Sequence, residues 1–465
     1  MRSCSLQQIA GLCGGELMSG AGAATVERVC IDSRLLADGD LFFALRGERF
    51  DGHAFLAEAA LKGAGGIVAE REGISEPISG CPVIAVENSR LALGRFAAGY
   101  RASFDLPVIA VAGSNGKTST KELIAAVLRQ KLRTVWSEAS FNNDIGVPLT
   151  LLRIEADHEV AVLEAGTNHP GELRLLLEFM KPTVGVITCI GREHLEFFDD
   201  LAGVAEEEGA LAELLPASGT LYLNGDDEWS QALMKRSQAT VVRVGFEETN
   251  HWKAHSLKMD KGGTSFQVVA PAEEYSGEYR INLLGRHQVG NALFAVALGA
   301  ELGLGKEDIQ RGLAECQPPK MRLQMWEFGG VRVLDDAYNA NADSMMMALR
   351  TLQEFPCKGR KVAVLGDMAE LGRHSEAAHE EIGRRAAELG IDQLFALGKM
   401  APVVARGARE GGLHRVLEFA DVEAAALALK SFLKPGDCLL LKASRATRLE
   451  RITEHLRGFE AGRRN

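Results

Sequence analysis

The chain has no C-x-x-C pair among its eight cysteines, no excess of basic residues and no long apolar run. Each absence narrows the function. The cysteines at 4, 13, 30, 81, 189, 316, 357 and 438 are scattered, several inside apolar stretches such as Val186-Ile-Thr-Cys-Ile190, and read as reduced core thiols of a cytoplasmic protein. A net charge of -11 with pI near 5.6 argues against nucleic-acid binding by bulk electrostatics. The first residues lack a basic region followed by an apolar core, and no window reaches the roughly 18 apolar residues of a membrane span. A cytoplasmic chain without an integral membrane segment is therefore expected. No N-K-x-D sequence is present, which weighs against a guanine-reading switch, and there is no internal repeat or low-complexity tract.

What is present is alternation. A chain of 465 residues exceeds the ~250–300 residues that one core organises, so several domains are expected. From Pro107 onward, short β-rich runs alternate with helical patterns: Pro107–Ala112, Val160–Glu164, Thr183–Ile190 and Gly219–Asn224. This predicts a mainly parallel sheet flanked by helices. Weaker alternating pieces fill 253–283, before a helical run from Asn291 to Leu302. Gln317-Pro-Pro-Lys320 breaks the pattern, and strands at Val331–Asp335, Lys361–Gly366, Gln393–Leu397 and Asp437–Lys442 restart it. The first ~105 residues are richer in glycine turns and short strands. The expectation is an α/β protein of three domains: 1–105, a central mainly parallel domain 106–316, and a Rossmann-like domain 317–465.

The central domain opens with Val108-Ile-Ala-Val-Ala-Gly113-Ser114-Asn115-Gly116-Lys117-Thr118-Ser119. A strand feeds a glycine loop, a lysine and hydroxyls at a helix start, so backbone N–H groups and the helix dipole face a phosphate. Val111 stands where the strict six-residue loop has glycine, and the match is to the shorter G-x-x-G-K-T form. Lys117 is expected at the β/γ-phosphates and Thr118 on Mg²⁺. Glu164 ends the next strand and His194 follows the one after, where open α/β sheets bind ligands; together they suit Mg²⁺. Taken singly, Glu164 reads as a helix-start carboxylate and His194 as a satisfied loop histidine. His374 and His379, five apart on a predicted helix, read as surface residues.

In this order the motifs resemble those of the Mur ligases over nearly the whole chain. Asp32-Ser33-Arg34, Gly39 to Gly47 and Asp51-Gly-His53 are similar to the block that holds a UDP-sugar, with Ser33, Arg34 and Gly47 as implied contacts; Asp-Ser-Arg could also simply cap a turn. Ser140-Phe-Asn142-Asn143-Asp-Ile-Gly-Val-Pro148 looks like the family's asparagine loop near substrate, and Glu164 to Glu172 resembles the acidic motif that follows. His287-Gln288-Val-Gly-Asn291 resembles an adenine-contacting segment, with Gln288 for the usual asparagine. Arg322 matches an arginine that reaches the γ-phosphate from the last domain, and Asp336 a ribose-binding aspartate. The run Asp335 to Ser344, carrying Asn339 and Asn341, is most similar to members that add a dipeptide; Ala342 replaces proline there. Val364-Leu-Gly-Asp-Met-Ala-Glu-Leu-Gly372 and Lys442-Ala-Ser-Arg-Ala-Thr-Arg-Leu449 are similar to family runs as well, with alanines at 443 and 446 replacing glycines.

The resemblance implies an ATP- and Mg²⁺-dependent amide ligase, acting as a monomer on UDP-N-acetylmuramoyl-tripeptide and D-alanyl-D-alanine through an acyl phosphate. Lys117, His194 and Arg322 are the implied catalytic residues; Gly113–Ser119, Asn291, Arg322 and Asp336 would bind ATP. Folylpolyglutamate synthases share the loop but lack the N-terminal block, and the D-N-P-R sequence of the diaminopimelate-adding members is absent. A homologue that binds ATP without turnover is the reading outside this class. One departure stands out. Members commonly carry a CO₂-modified lysine whose carbamate binds metal, and Glu208 in Val204-Ala-Glu-Glu-Glu208-Gly209 falls at that position. Either Glu208 supplies the carboxylate, or Glu206, Glu207 and Glu208 form a solvated helix face.

Overall fold

The computed structural model describes residues 1–19, 22–47 and 50–463. Its strands gather into three principal sheets. In the first, Glu16–Ser19, Val83–Val86, Gly66–Glu70, Leu41–Phe43 and Val29–Cys30 lie in that order, parallel apart from the first pair. The helix Ser89–Arg101 carries this unit onto the next. Arg101 is buried, and its guanidinium donates to the carbonyls of Met180, Phe104 and Leu106. A methyl added at Gly94 would sit 2.3 Å from the Phe179 ring, so the helices of the two units touch almost backbone to ring. One apolar cluster runs unbroken from Leu6 and Phe96 to Leu163 and Leu211. The N-terminal unit therefore shares its core with one face of the central sheet.

The central sheet has nine strands, ordered Gly277–Ile281, Gly263–Val269, Trp252–Asp260, Thr240–Gly245, Thr220–Asn224, Val184–Ile187, Val108–Ala112, Val160–Glu164 and Thr134–Trp136. It is parallel from Thr134–Trp136 through Trp252–Asp260, and the weakly patterned segment after 252 closes it as an antiparallel meander. Strands such as Val-Ile-Ala-Val-Ala are buried along their whole length because helices cover both faces. Lys117–Leu128 and Arg286–Glu301 cover the second face, with Val127, Leu293 and Val296 in their shared core.

Register decides the site. Glu164 pairs with Val111 and Ala112 with Ile187, so three strands end level. Their following loops, carrying 113–116, 165–171 and 188–194, emerge side by side at one edge.

The third sheet is ordered Gln324–Phe328, Val331–Asp335, Cys438–Lys442, Lys361–Leu365, Gln393–Leu397 and Val416–Phe419, with only the first pair antiparallel. Asp335 lies level with Leu441, so Asp336 and Lys442 leave the sheet together. His379, expected at the surface, is buried. Its Nε2 accepts the Met368 N–H at 2.9 Å, because the helix Ser375–Glu388 lays that face against the loop after a strand. The cysteines are unpaired, and no helix among the described residues is long and apolar enough to cross a membrane.

Candidate active site

The phosphate loop is held from beneath by the protein's own hydrogen bonds. Ser114 N donates to Cys189 O (2.8 Å), Thr188 Oγ1 to Asn115 O (2.6 Å), and Gly113 N to the Glu208 carboxylate (2.7 Å). Gly113 and Gly116 adopt φ of 110° and 89°, and an added Cβ would meet Thr188 Oγ1 at 2.4 Å and Asn291 Oδ1 at 2.6 Å. Both positive φ and contact thus demand glycine. The helix then begins at Lys117 with N–H groups facing outward.

Carboxylates surround the Lys117 ammonium. Its Nζ lies 2.5 Å from Gly113 O and 3.4 Å from Glu193 Oε2. Burial alone would lower its pKa, but Glu193, Glu208 and Glu164 together outweigh that and raise it, so the side chain stays cationic. Burial in turn pushes Glu193 up to about 8, and raises Glu208 as well, against the pull of Lys117.

Glu164 Oε1 accepts from Thr118 Oγ1 (3.2 Å) and Asn142 Nδ2 (2.8 Å). One oxygen each of Glu164, Glu193 and Glu208 is buried without a partner. His194 occupies the position before the short helix Leu195–Phe198 at φ 48°, without capping it, and its Nδ1 lies 2.5 Å from Glu370 Oε2.

The run Glu206-Glu207-Glu208 is not a solvated face. Only Glu206 is exposed; Glu208 is 0% exposed, and Glu207 accepts from Thr167 Oγ1, Gly171 N and Leu173 N at 2.7–3.0 Å. The helix Leu201–Glu208 packs that side against two loops, and Glu207 satisfies the N-terminus of the helix Glu172–Met180.

The C-terminal unit faces this edge across a cavity of about 920 Å³. Arg322 lies between Met321 and Leu323, both left-handed at φ 57° and 50°, with its guanidinium 4.2 Å from the Tyr338 ring centroid. Asp336 accepts from Leu323 N (3.1 Å) and Lys442 Nζ (2.5 Å). Burial lowers the Lys442 pKa despite Asp336, and pushes His287 down to about 4, leaving that ring neutral.

Asn339 Oδ1 accepts from Arg445 N (3.4 Å), and Asn341 Nδ2 reaches Asn115 Oδ1 (3.1 Å) on the phosphate loop. Asn341 and Ser344 form a reciprocal capping box at the start of Ala342–Glu354, fixing the turn where proline is missing at 342. Ser114–Ser119, Asn142, Asn143, Glu164, His194, Asn291, Arg322, Asp336, Asn339 and Asn341 all line the cavity. Asn143 also caps the helix Gly146–Leu151 through Gly146 N (2.9 Å).

Gly113 and Glu208 lie behind the cavity lining, bonded to each other under the loop, and Ser33, Arg34 and Gly47 are not brought to this cavity. They lie on loops following the adjacent parallel strands Val29–Cys30 and Leu41–Phe43, at one end of the first sheet. Ser33 O accepts from Lys62 Nζ (2.8 Å), and Asp32 does cap the turn, accepting from Arg34 N (3.0 Å). The cavity has lining residues that the motifs did not single out: Arg90, paired with Asp144 at 2.6 Å, and Glu193, Glu370, Lys442 and Arg445. Glu193 directly precedes His194, and Glu370, Lys442 and Arg445 lie in the matched runs 364–372 and 442–449, which was the available signal; Arg90 offered none.

A phosphate loop at a switch between parallel strands, facing an arginine from another unit, defines a nucleotide-using enzyme of the multidomain α/β class. The chain belongs to the Mur ligase family: the catalytic domain of that family matches residues 25–101, the middle domain 111–299, and the glutamate ligase domain 321–445. It is 36% identical to the UDP-N-acetylmuramoyl-tripeptide--D-alanyl-D-alanine ligase of Escherichia coli K12, over 98% of this chain and 99% of that one. A crystal structure of MurF from Acinetobacter baumannii superposes with a TM-score of 0.90 at 30% identity, covering 98% of this chain and 99% of that one. MurF from Thermotoga maritima in complex with ADP gives 0.81 at 27% identity, covering 93% and 97%.

Proposed function

We propose that this chain is the ATP-dependent ligase that joins D-alanyl-D-alanine to UDP-N-acetylmuramoyl-tripeptide in cytoplasmic peptidoglycan precursor synthesis. The observation that carries the chemistry is the convergence of the phosphate loop, the free carboxylate oxygens of Glu164 and Glu193, and Arg322 on one cavity. The full-length relatives support the substrates.

The physical problem is repulsion between two anions. A tripeptide carboxylate must attack the γ-phosphorus of ATP, forming an O–P bond as the bond to the β–γ bridging oxygen breaks and ADP leaves. The loop N–H groups hold the phosphates, Lys117 offsets their charge, and Arg322 meets the charge that builds on the transferred group. The dipeptide amine then attacks the acyl carbon; the C–O bond breaks, phosphate departs and the nitrogen loses a proton. Closure of the C-terminal unit over the cavity would keep water from the acyl phosphate. In this reading Asn291 would contact adenine and Asp336 ribose, while residues 1–105, with Ser33, Arg34 and Gly47, would hold the UDP-sugar.

Mg²⁺ fits the donors present. Among the described residues no three His, Cys, Asp or Glu side chains form a ready cage, yet Glu164, Glu193 and Glu208 each leave a buried oxygen free. That is the pattern of an ion held by few carboxylates, waters and substrate phosphates. Thr118, Glu164, His194 and Glu208 would hold it, and when bound it would supply further neutralisation of the phosphates. Glu208 provides an encoded carboxylate where relatives commonly carry a CO₂-derived one. The test is phosphate release from ATP in the presence of each substrate alone and both together. Release only with both supports the reading; release with neither, or none with both, overturns it.

A further inference from the structure

The contact between His194 and Glu370 crosses from the central unit to the C-terminal one, and neither the phosphate loop nor the nucleotide contacts require it. Its geometry is unusual on both sides. His194 and Glu370 are non-glycine residues held at φ 48° and 59°, a region that the surroundings must impose. The backbone locks them together: Glu196 N donates to Glu370 O at 3.0 Å. Two residues on, Gly372 at φ 49° runs so close that an added Cβ would lie 3.2 Å from Glu196 Cα. This seating leaves Glu370 Oε2 2.5 Å from His194 Nδ1. The other ring nitrogen, Nε2, faces the Lys117 side of the cavity, 3.9 Å from Glu193 Oε2.

Glu370 Oε2 lies off the line of a hydrogen bond to Nδ1, but at 2.5 Å its field favours the ring proton on Nδ1 and the lone pair on Nε2, the form a metal ligand needs. We propose that Glu370 is a positioning residue for His194: seated across the boundary between the units, it fixes the ring's tautomer and rotation so that Nε2 is presented to the metal. Seating of the C-terminal unit and completion of the metal site then become one event. Arg192 strengthens that seating from the same loop, pairing with Asp343 at 2.8 Å and Glu381 at 2.7 Å. This inference rests on the reading of His194 as a metal ligand.

The test measures Mn²⁺ binding to the enzyme with ADP by electron paramagnetic resonance, alongside kcat and the KM of each substrate. Glu370→Ala should weaken Mn²⁺ about 10-fold, as loss of a carboxylate behind a metal-bound histidine does, and leave the KM for the UDP-substrate unchanged. Glu370→Gln, which keeps the side chain's size and an acceptor carbonyl, should recover part of the loss, and it serves also if the alanine disturbs the loop. The double variant with His194→Ala should bind Mn²⁺ no worse than His194→Ala alone, because both changes remove one interaction. Additive losses would make Glu370 a mere docking contact and overturn the proposal, as would unchanged Mn²⁺ binding in both Glu370 variants. If His194→Ala itself leaves Mn²⁺ binding intact, the ligand reading fails first and the proposal falls with it.

Discussion

Glu208 shows how much one side chain's surroundings decide. A glutamate is three bonds shorter than a carbamylated lysine, a shortfall of about 3–4 Å by ordinary bond lengths. The structure places its carboxylate directly under the phosphate loop, with one oxygen on Gly113 N and the other free. A bridging water, which Mg²⁺ retains readily, can span the remainder. Activity should therefore be unchanged when bicarbonate and CO₂ are removed, and a fall restored by bicarbonate would count against an encoded carboxylate. Glu208→Gln should raise the Mg²⁺ concentration for half-maximal turnover at least several-fold, while Glu206→Gln, at an exposed position, should not. Glu207→Gln is no neutral control, since Glu207 caps the helix Glu172–Met180. Equal behaviour of the 206 and 208 variants would remove Glu208 from the site. Arg322→Ala should lower kcat more than it raises the KM for ATP, because an arginine meeting the transferred phosphoryl acts mainly in the transition state; an unchanged kcat would exclude it.

At the level of strands and loops, the phosphate loop was legible because its strand, glycines, lysine and helix are contiguous, so local chemistry suffices. The parallel strands of the central and C-terminal sheets were legible for a similar reason, being apolar runs at regular spacing. The burial of Glu207 and Glu208 was not, because a charge run looks the same in sequence whichever face of its helix packs inward. Nor were Arg90 with Asp144 or Glu370 with His194, which meet only after separate units dock. The continuity of the N-terminal and central cores was hidden too, since sharing a core leaves no mark in composition.

Asp437 offers a test at the start of a strand. It accepts from Arg360 N (2.9 Å), Arg360 Nη2 (2.6 Å) and Lys434 N (2.9 Å), joining the entries of Lys361–Leu365 and Cys438–Lys442. Burial opposes its charge, but these donors win and its pKa is lowered in the fold. A lowered folded pKa means the unfolded chain takes up the proton first. The stability Asp437 contributes is therefore present above its unfolded pKa and is lost as pH falls through the lower folded value. Asp437→Asn turns an NH₂ toward these donors and should cost roughly 1.5–3 kcal/mol near neutral pH. Denaturant unfolding should show the difference shrinking below about pH 4; a difference independent of pH would deny Asp437 this role.

Across the whole molecule, the arrangement predicts a division of labour that a single substitution can expose. The phosphate loop and Lys117 sit between central strands, whereas Ser33, Arg34 and Gly47 lie at the far sheet and do not line the same cavity. Binding of the UDP-substrate and binding of the γ-phosphate should then be separable, although the two units share a core and fold together. Lys117→Ala removes an ammonium now balanced against Glu193, Glu208 and Glu164. Without it the phosphates lose their nearest cation, so ligation should fall by about 10²–10³-fold, the scale of losing a main electrostatic contact in the transition state. The nucleotide-free enzyme should still bind UDP-N-acetylmuramoyl-tripeptide within about threefold of the unaltered protein, measured by calorimetry. The expectation is asymmetric: the loop sits on a core shared with the N-terminal unit, so a folding defect would weaken both ligands together. Circular dichroism and the unfolding midpoint separate that case. Parallel loss of UDP-substrate binding in a variant that remains folded would show that the tripeptide end of the substrate depends on Lys117, and the three-part division would have to be redrawn.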